Sequence, residues 1–149
     1  MSKHKVFAWL ILNDRLNTKD MMIRRHWTIA GSNDCVLCHA HTIEDMLHLF
    51  FNCLFSSKIW SYLQINWDGT SVGQCLNRAK RDFTGPCFME IVILACWNIW
   101  KQHNGWIFKN VRPSFRAWKA LFVLDISLLK FRVKPSDAHS IDSWLRSLV

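Results

Sequence analysis

Apolar residues recur at helical spacing along most of the chain. Residues 4–13 are largely apolar, and Thr18 suits the N-cap of a second helix that runs from Lys19 to about His26. The later part of the chain predicts helices over about 55–64, 74–83, 87–109 and 114–131, and a weak terminal helix over 138–148. No strand is strongly indicated, although a short ribbon could support a turn near residue 35. The predicted fold class is therefore all-α.

The predicted helix over 87–109 differs from the others because residues 91–97 are apolar on every side. Such a helix is expected at the centre of a core. Its uncharged stretch is bounded by Glu90 and Lys101 and is about half the length that a membrane span needs. The sequence therefore predicts a buried helix and no membrane partner.

Two breaks interrupt the helical pattern. Residues 66–73 contain two glycines among short polar residues, and Gly85-Pro86 marks a second break. Lys134-Pro135 is expected to end the helix that begins at Pro113-Ser114. We predict a small helical domain over residues 1–66, followed by a helical C-terminal region over 67–149.

Composition and charge narrow the class of protein. Half of the 149 residues are hydrophobic and nine are Trp, which predicts a folded core rather than disorder. The net charge is +8, and residues 101–134 carry eight Lys and Arg against one Asp. A positive surface in this segment would suit the phosphates of RNA or DNA.

Cysteine and histidine cluster in the pattern C-x2-C-x9-H-x4-C, formed by Cys35, Cys38, His48 and Cys53. Three thiolates and one imidazole are a complete tetrahedral ligand set for Zn²⁺, with no position left for an activated water. The predicted cofactor is therefore a structural zinc. Its site would carry a net charge of about −1 and add no cationic surface.

Other interpretations of these residues stay open. His39 and His41 are rival ligands to His48. Cysteines are also often buried as apolar residues, which accounts for Cys75, Cys87 and Cys96 but poorly for Cys35 and Cys38. A disulfide framework requires a secretory context, and the N-terminal residues lack the layout of a signal peptide. We therefore expect a reducing intracellular compartment, nuclear or cytoplasmic.

The spacing of His48 and Cys53 makes a prediction about local structure. Thr42 and Asp45 resemble a capping box for a helix that carries His48. In an ideal α-helix, five residues rotate by about 500°, which places Cys53 about 140° away from His48. The helix must therefore loosen or end near residues 51–52.

Aromatic and basic residues alternate in the C-terminal half. Trp97 and Trp100 fit a core position better than a binding surface, whereas Trp106 fits either. Exposed aromatic rings can stack on unpaired bases while nearby cations contact phosphates. The residues predicted to bind nucleic acid are Lys101, Trp106, Lys109, Arg112, Arg116 and Lys119.

No constellation of residues suggests catalysis. The five glycines form no phosphate-binding loop, and carboxylates are sparse. Helix caps or solvated positions explain both acidic pairs, Glu44-Asp45 and Asp137 with Asp142. We expect no enzymatic activity and no small-molecule substrate.

Several short motifs, separated by fixed intervals, resemble those of a known family. The motifs are Trp9-Leu10, Asp14-Arg15-Leu16 with Thr18, the two cysteines of C-x2-C, Glu44, His48-Leu49-Phe50 with Cys53, and Trp60. Over residues 5–63 this pattern resembles the zinc-binding domain that follows the reverse transcriptase of plant non-LTR retrotransposons of the LINE type. The words Trp97-Asn98-Ile99-Trp100-Lys101 and Asn104-Gly105-Trp106-Ile107-Phe108 resemble the C-terminal tail of such polyproteins. That tail usually has Arg before the Asn, where this chain has His103.

The resemblance implies association with the nucleic acid of a retroelement. No polymerase or endonuclease segment precedes the matching words, so we expect a zinc module without either activity. Two alternatives remain: a repurposed protein that binds a protein partner through apolar and Trp surface, and a fragment without a selected function.

Overall fold

The computed structural model describes residues 2–28, 31–38 and 40–148. Within these residues the fold consists of seven α-helices and one π-helical turn. They are α1 (Lys3–Leu12), α2 (Lys19–Arg24), the π-helical turn (His48–Asn52), α3 (Leu54–Leu63), α4 (Val72–Asp82), α5 (Phe88–Lys109), α6 (Phe115–Leu129) and α7 (Pro135–Ser147). Within the described residues the only β pairing is an isolated antiparallel bridge between Asp34 and Ile43. The predicted all-α class is confirmed.

Side-chain caps define several helix starts. Thr18 accepts a hydrogen bond from the Met21 amide at 3.2 Å, as its predicted N-cap position requires. Ser71 and Ser114 cap α4 and α6 in the same way. The last helix begins earlier than predicted, because Pro135 occupies its first position. A proline is favourable there, since the first helical amide has no partner within the helix.

The core is built around α5. Ile91, Ala95 and Ile99 are fully buried, and α5 packs mainly on α6 and α1. Trp118 of α6 donates from Nε1 to the Ala95 carbonyl at 3.1 Å. The central position predicted for the apolar helix is therefore confirmed.

This core runs without interruption from the N-terminal to the C-terminal half of the chain. The rings of Phe7 and Trp97 meet edge to face, with centroids 5.2 Å apart. Trp97 and Trp100 are half-buried against the core, as expected. The division into domains at residues 66–67 stays a prediction.

None of the described helices combines the length and the apolarity that crossing a membrane would require.

Candidate metal centre

Two short segments bring the four predicted ligands together. Cys35 and Cys38 lie on a turn after the Asp34–Ile43 bridge, while His48 and Cys53 flank the π-helical turn. Their ligand atoms all lie within 4.8 Å of one another.

The distances fit one tetrahedral ion. Cys35 Sγ lies 3.9 Å from Cys53 Sγ, and Cys38 Sγ lies 3.3 Å from His48 Nε2. A tetrahedral zinc with ordinary bond lengths separates two sulfurs by about 3.8 Å and a sulfur from a nitrogen by about 3.6 Å. Three thiol groups and one imidazole are also the donor set of structural zinc sites. The residues therefore fit Zn²⁺.

The π-helical turn brings His48 and Cys53 to nearly the same side of the helix axis, despite their five-residue spacing. The Cys53 amide donates to the His48 carbonyl at 2.7 Å, a bond that spans five residues. At about 4.4 residues per turn, five residues rotate by about 410° and leave the two ligands only about 50° apart. The predicted loosening of the helix is confirmed, and its form is π-helical.

Two side chains of α3 satisfy carbonyls of the π-helical turn. Ser56 Oγ donates to the Leu49 carbonyl, and Trp60 Nε1 donates to the Phe50 carbonyl at 2.6 Å. All four residues are buried. An unpaired carbonyl would be costly at this depth, so α3 stabilises the wide turn that presents His48 and Cys53.

The capping box predicted from Thr42 is wrong. Asp45, not Thr42, caps the helical turn, because its Oδ1 accepts from the His48 amide at 2.7 Å. Thr42 instead accepts at its carbonyl from the Cys35 amide at 2.9 Å. Its backbone is thus used to hold the turn of the first ligand pair.

The three thiols differ in acidity. Cys35 donates to Cys53, which raises the pKa of Cys35 and lowers that of Cys53 to about 6. Burial raises the pKa of Cys38. Without metal, Cys53 is thus the thiol that ionises first, and the other two retain their protons at neutral pH.

Glu44 supports this centre in a way that sequence reasoning missed. It was expected at a cap or in solvent, but its side chain is fully buried. Oε1 accepts from the Lys19 amide at 3.1 Å, and Oε2 accepts from the Val36 amide at 3.1 Å. The carboxylate therefore ties the start of α2 to the turn that carries Cys35. In the sequence, Glu44 was marked only as one position of the motif pattern over residues 5–63 that resembles the family.

The second partner of Glu44 comes from α5. His103 Nε2 lies 2.8 Å from Glu44 Oε1, and both side chains are buried. The imidazole stacks on Trp100, with centroids 4.7 Å apart and planes at 11°. Burial opposes the ionisation of Glu44, but the hydrogen bond and charge of His103, with those from the backbone amides, hold its pKa below the ordinary value. The metal centre and α5 thus share one buried polar contact.

The rival ligand His41 does not join the described cluster. His41 contacts Asp34 Oδ2 at 3.1 Å on an exposed surface, and the described metal-binding group does not include it. His39 lies outside the described residues.

The residues predicted to bind nucleic acid occupy more than one side of α5 and α6. Lys101 Nζ lies 5.9 Å from the Trp97 ring centroid, whereas Lys119 Nζ lies 4.9 Å from that of Tyr62 in α3. Lys109, Arg112 and Arg116 are exposed, and Trp106 is half-buried. Whether these residues bind nucleic acid stays a prediction.

The loop between α5 and α6 also borders the metal centre. A groove beside Cys38 is lined by Ala40, Lys58, Pro113 and Phe115. The basic segment around residues 112–116 and the metal-binding turn therefore share a face of the molecule.

Comparison with known proteins agrees with this site. No curated protein and no solved structure matches the chain significantly. Residues 1–60 match the family model described as zinc-binding in reverse transcriptase. The match includes all four ligands, and it supports a zinc-binding domain of the kind associated with retrotransposon reverse transcriptases.

Proposed function

We propose that the protein is a nucleic-acid-binding module whose zinc site is structural. The observation that carries the proposal is the basic segment 101–134, which has eight Lys and Arg against one Asp. Three of its cations, Lys109, Arg112 and Arg116, are exposed, and the ring of Trp106 in the same segment is half-buried. Exposed cations can contact phosphates, and an accessible ring can stack on a base.

The zinc would act by holding the fold together. All four donors come from the protein, so the centre offers no open position for a substrate or an activated water. When bound, the ion fixes the Cys35 turn against the π-helical turn. We propose no polymerase or nuclease activity for this chain and no small-molecule substrate.

The origin that we propose is the polyprotein of a plant LINE-type retrotransposon, with part of its C-terminal tail. The supporting words beyond the family match lie on α5, from Trp97 to Phe108. A reducing nuclear or cytoplasmic location would suit a centre of three unpaired thiols.

Salt dependence tests the proposed binding. We expect labelled single-stranded RNA or DNA to bind with log K falling linearly with log salt concentration. Exchange of five cations for Gln should flatten the slope by about 0.7 per lost phosphate contact on single strands. The five are Lys101, Lys109, Arg112, Arg116 and Lys119.

The matched control removes the same charge elsewhere. Five exposed cations outside residues 101–134 are exchanged for Gln, namely Lys5, Arg15, Lys80, Arg81 and Arg146. If both variants lose affinity equally, the net charge acts and the assigned surface is wrong. Absence of binding by the wild type at low salt would reject nucleic-acid binding itself.

One observation favours a second function, the binding of a protein partner. A groove of about 480 Å³ lies between α1, α5 and the end of α6. Trp9 and Leu12 line it and are 56% and 54% exposed. Binding of a protein partner there should depend weakly on salt and should be lost in Trp9→Ala. Nucleic-acid binding should instead fall steeply with salt and should persist in Trp9→Ala.

A further inference from the structure

A third groove, of about 730 Å³, lies between the end of α2 and the C-terminal half of α5. Its aromatic lining includes Trp27, Trp106 and Phe108, which are exposed or half-buried. Asn17, Asn104 and Asn110 also line it. Asn17 Oδ1 accepts from Arg25, and Asn104 Oδ1 lies 3.3 Å from His103 Nδ1. Flat apolar surface and neutral hydrogen-bonding groups are thus present together.

The charges around this groove favour a ligand whose anionic groups remain at the edge of the groove while its neutral part lies inside. None of the described lining residues carries a carboxylate. The nearby Glu44 is fully buried behind its contact with His103. The Arg25 guanidinium lies 5.5 Å from the ring centroid of Trp27, which lines the groove. Lys109 is exposed and is the neighbour in sequence of the lining residues Phe108 and Asn110.

We propose that this groove holds an unpaired base of a single-stranded nucleic acid, stacked on Trp106. The carboxamides would meet donors and acceptors on the base edge, because an amide side chain offers both. Arg25 and Lys109 would meet the flanking phosphates. This inference rests on the proposed nucleic-acid binding and assigns it a base-binding site.

A base explains the lining better than an apolar peptide side chain. A purely apolar ligand would remove water from the carboxamides without replacing its hydrogen bonds, which costs free energy. A base presents a flat face to the ring and polar edges to the amides, as in other single-strand binding proteins. The volume is also in the range of small-ligand sites.

The test compares two labelled oligonucleotides of equal length by fluorescence anisotropy. One carries bases throughout, and the other has abasic sites at its central positions, so both present the same phosphates. We expect the wild type to bind the first roughly ten-fold more tightly, within the range for loss of one stacked base. Trp106→Ala should lose this preference, and Trp106→Phe should keep most of it.

Controls separate the base site from folding and from charge. Trp9→Ala removes an exposed indole from a different groove and should keep the preference. Trp27→Ala provides a second variant of the proposed site, in case Trp106→Ala loses zinc or helicity. Circular dichroism and zinc content establish that each variant is folded.

The outcomes are distinct. Equal binding of both oligonucleotides by the wild type would overturn the base site and leave the proposed phosphate binding intact. A preference that survives both Trp106→Ala and Trp27→Ala would place the base elsewhere and also overturn the inference. No binding of either oligonucleotide at low salt would reject the proposed function and the base site together.

Discussion

The side chain of Glu44 connects three separate segments of the structure. It binds the amides of Lys19 and Val36 and contacts His103, without any exposure to solvent. A buried carboxylate is costly unless its oxygens are paired, and here both are. Its hydrogen bonds therefore stabilise the fold only as long as the group stays ionised.

Glu44→Gln should lower the free energy of unfolding by about 2–3 kcal/mol at pH 7, the range for losing hydrogen bonds to a charged group. His103 and the backbone amides hold the pKa of Glu44 below its ordinary value, so its stabilisation is present at pH values above that ordinary pKa and is lost as the pH falls through the folded-state pKa. The difference from wild type should therefore shrink in acid, as urea unfolding at several pH values would show. Zinc content should be measured at each pH, because Glu44 supports the turn of Cys35 and its loss also affects zinc retention.

The control for this variant is Glu90→Gln, because Glu90 is exposed at the start of α5. It should change stability little. Equal losses in both variants would contradict the role assigned to Glu44.

Zinc binding should release protons, fewer than three per chain at pH 7. The pKa values of Cys35 and Cys38 are raised, whereas the hydrogen bond from Cys35 lowers the pKa of Cys53, so this thiol is the first to lose its proton before metal binds. Affinity should therefore increase with pH. Calorimetry in buffers of different ionisation enthalpy measures both the proton number and the expected stoichiometry of one zinc.

A release of three protons would mean that the thiols are not yet arranged in the metal-free protein. Cys38→Ser should abolish stoichiometric binding, while Cys87→Ser, outside the cluster, should retain it.

For individual residues, the sequence predicted the four clustered metal ligands but not the Glu44–His103 contact beside them. The spacing of Cys35, Cys38, His48 and Cys53 is local, so it could be read directly from the chain. Glu44 was assigned to a cap or to solvent because its partner, His103, is 59 positions away. Only the fold brings these two residues together.

Among the elements, the π-helical turn has the most direct effect on the metal centre. Leu49, Phe50 and Phe51 are consecutive and all buried, since the wide turn rotates each of them towards the core. The indole of Trp60 satisfies one carbonyl of this turn. The turn and α3 are therefore expected to lose stability together.

Trp60→Phe should destabilise the protein by about 1–3 kcal/mol, because it leaves the buried Phe50 carbonyl without its donor. Zinc affinity should fall as well, since the same turn carries His48 and Cys53. Competition with a chromophoric chelator measures the affinity, and thermal unfolding measures the stability.

Trp97→Phe is the matched control for this element. The Trp97 indole nitrogen is buried without a hydrogen-bond partner, so its removal breaks no hydrogen bond. A loss of zinc affinity as large as that of Trp60→Phe would show that ring volume, not the hydrogen bond, is responsible.

Some elements were predictable and others were not. The angle between His48 and Cys53 required a loosened helix, which is a matter of geometry alone. The choice between Thr42 and Asp45 as the helix cap could not be predicted, because both have cap-forming side chains. The Asp34–Ile43 bridge, which engages the backbone around Thr42, forms only in the fold. Pro135 was taken as the end of one helix but begins the next, since proline fits both positions.

For the whole molecule, the shared core makes the metal centre and the C-terminal helices interdependent. The all-round apolarity of residues 91–97 predicted that α5 would be central, and the structure confirms it. The contacts of α5 with the N-terminal half, such as Trp97 with Phe7, join distant parts of the sequence. Pattern alone could not have revealed them.

Chelation of zinc should therefore be detected well beyond its ligands. Hydrogen exchange followed by mass spectrometry should show faster exchange over residues 31–60 and also in the C-terminal half of α5, because Glu44 links the two. In Glu44→Gln the effect on α5 should be smaller. Faster exchange confined to 31–60 in the wild type would instead favour two independent domains divided near residue 66.

The contact between Glu44 and His103 also has an evolutionary consequence. An Arg at position 103 would present a planar guanidinium, which could form two parallel bonds with the same carboxylate. A change at either position then alters which residues the other tolerates. We expect alignments of relatives to show covariation between columns 44 and 103, with a polar or acidic residue at 44 wherever 103 is basic, and joint loss of both.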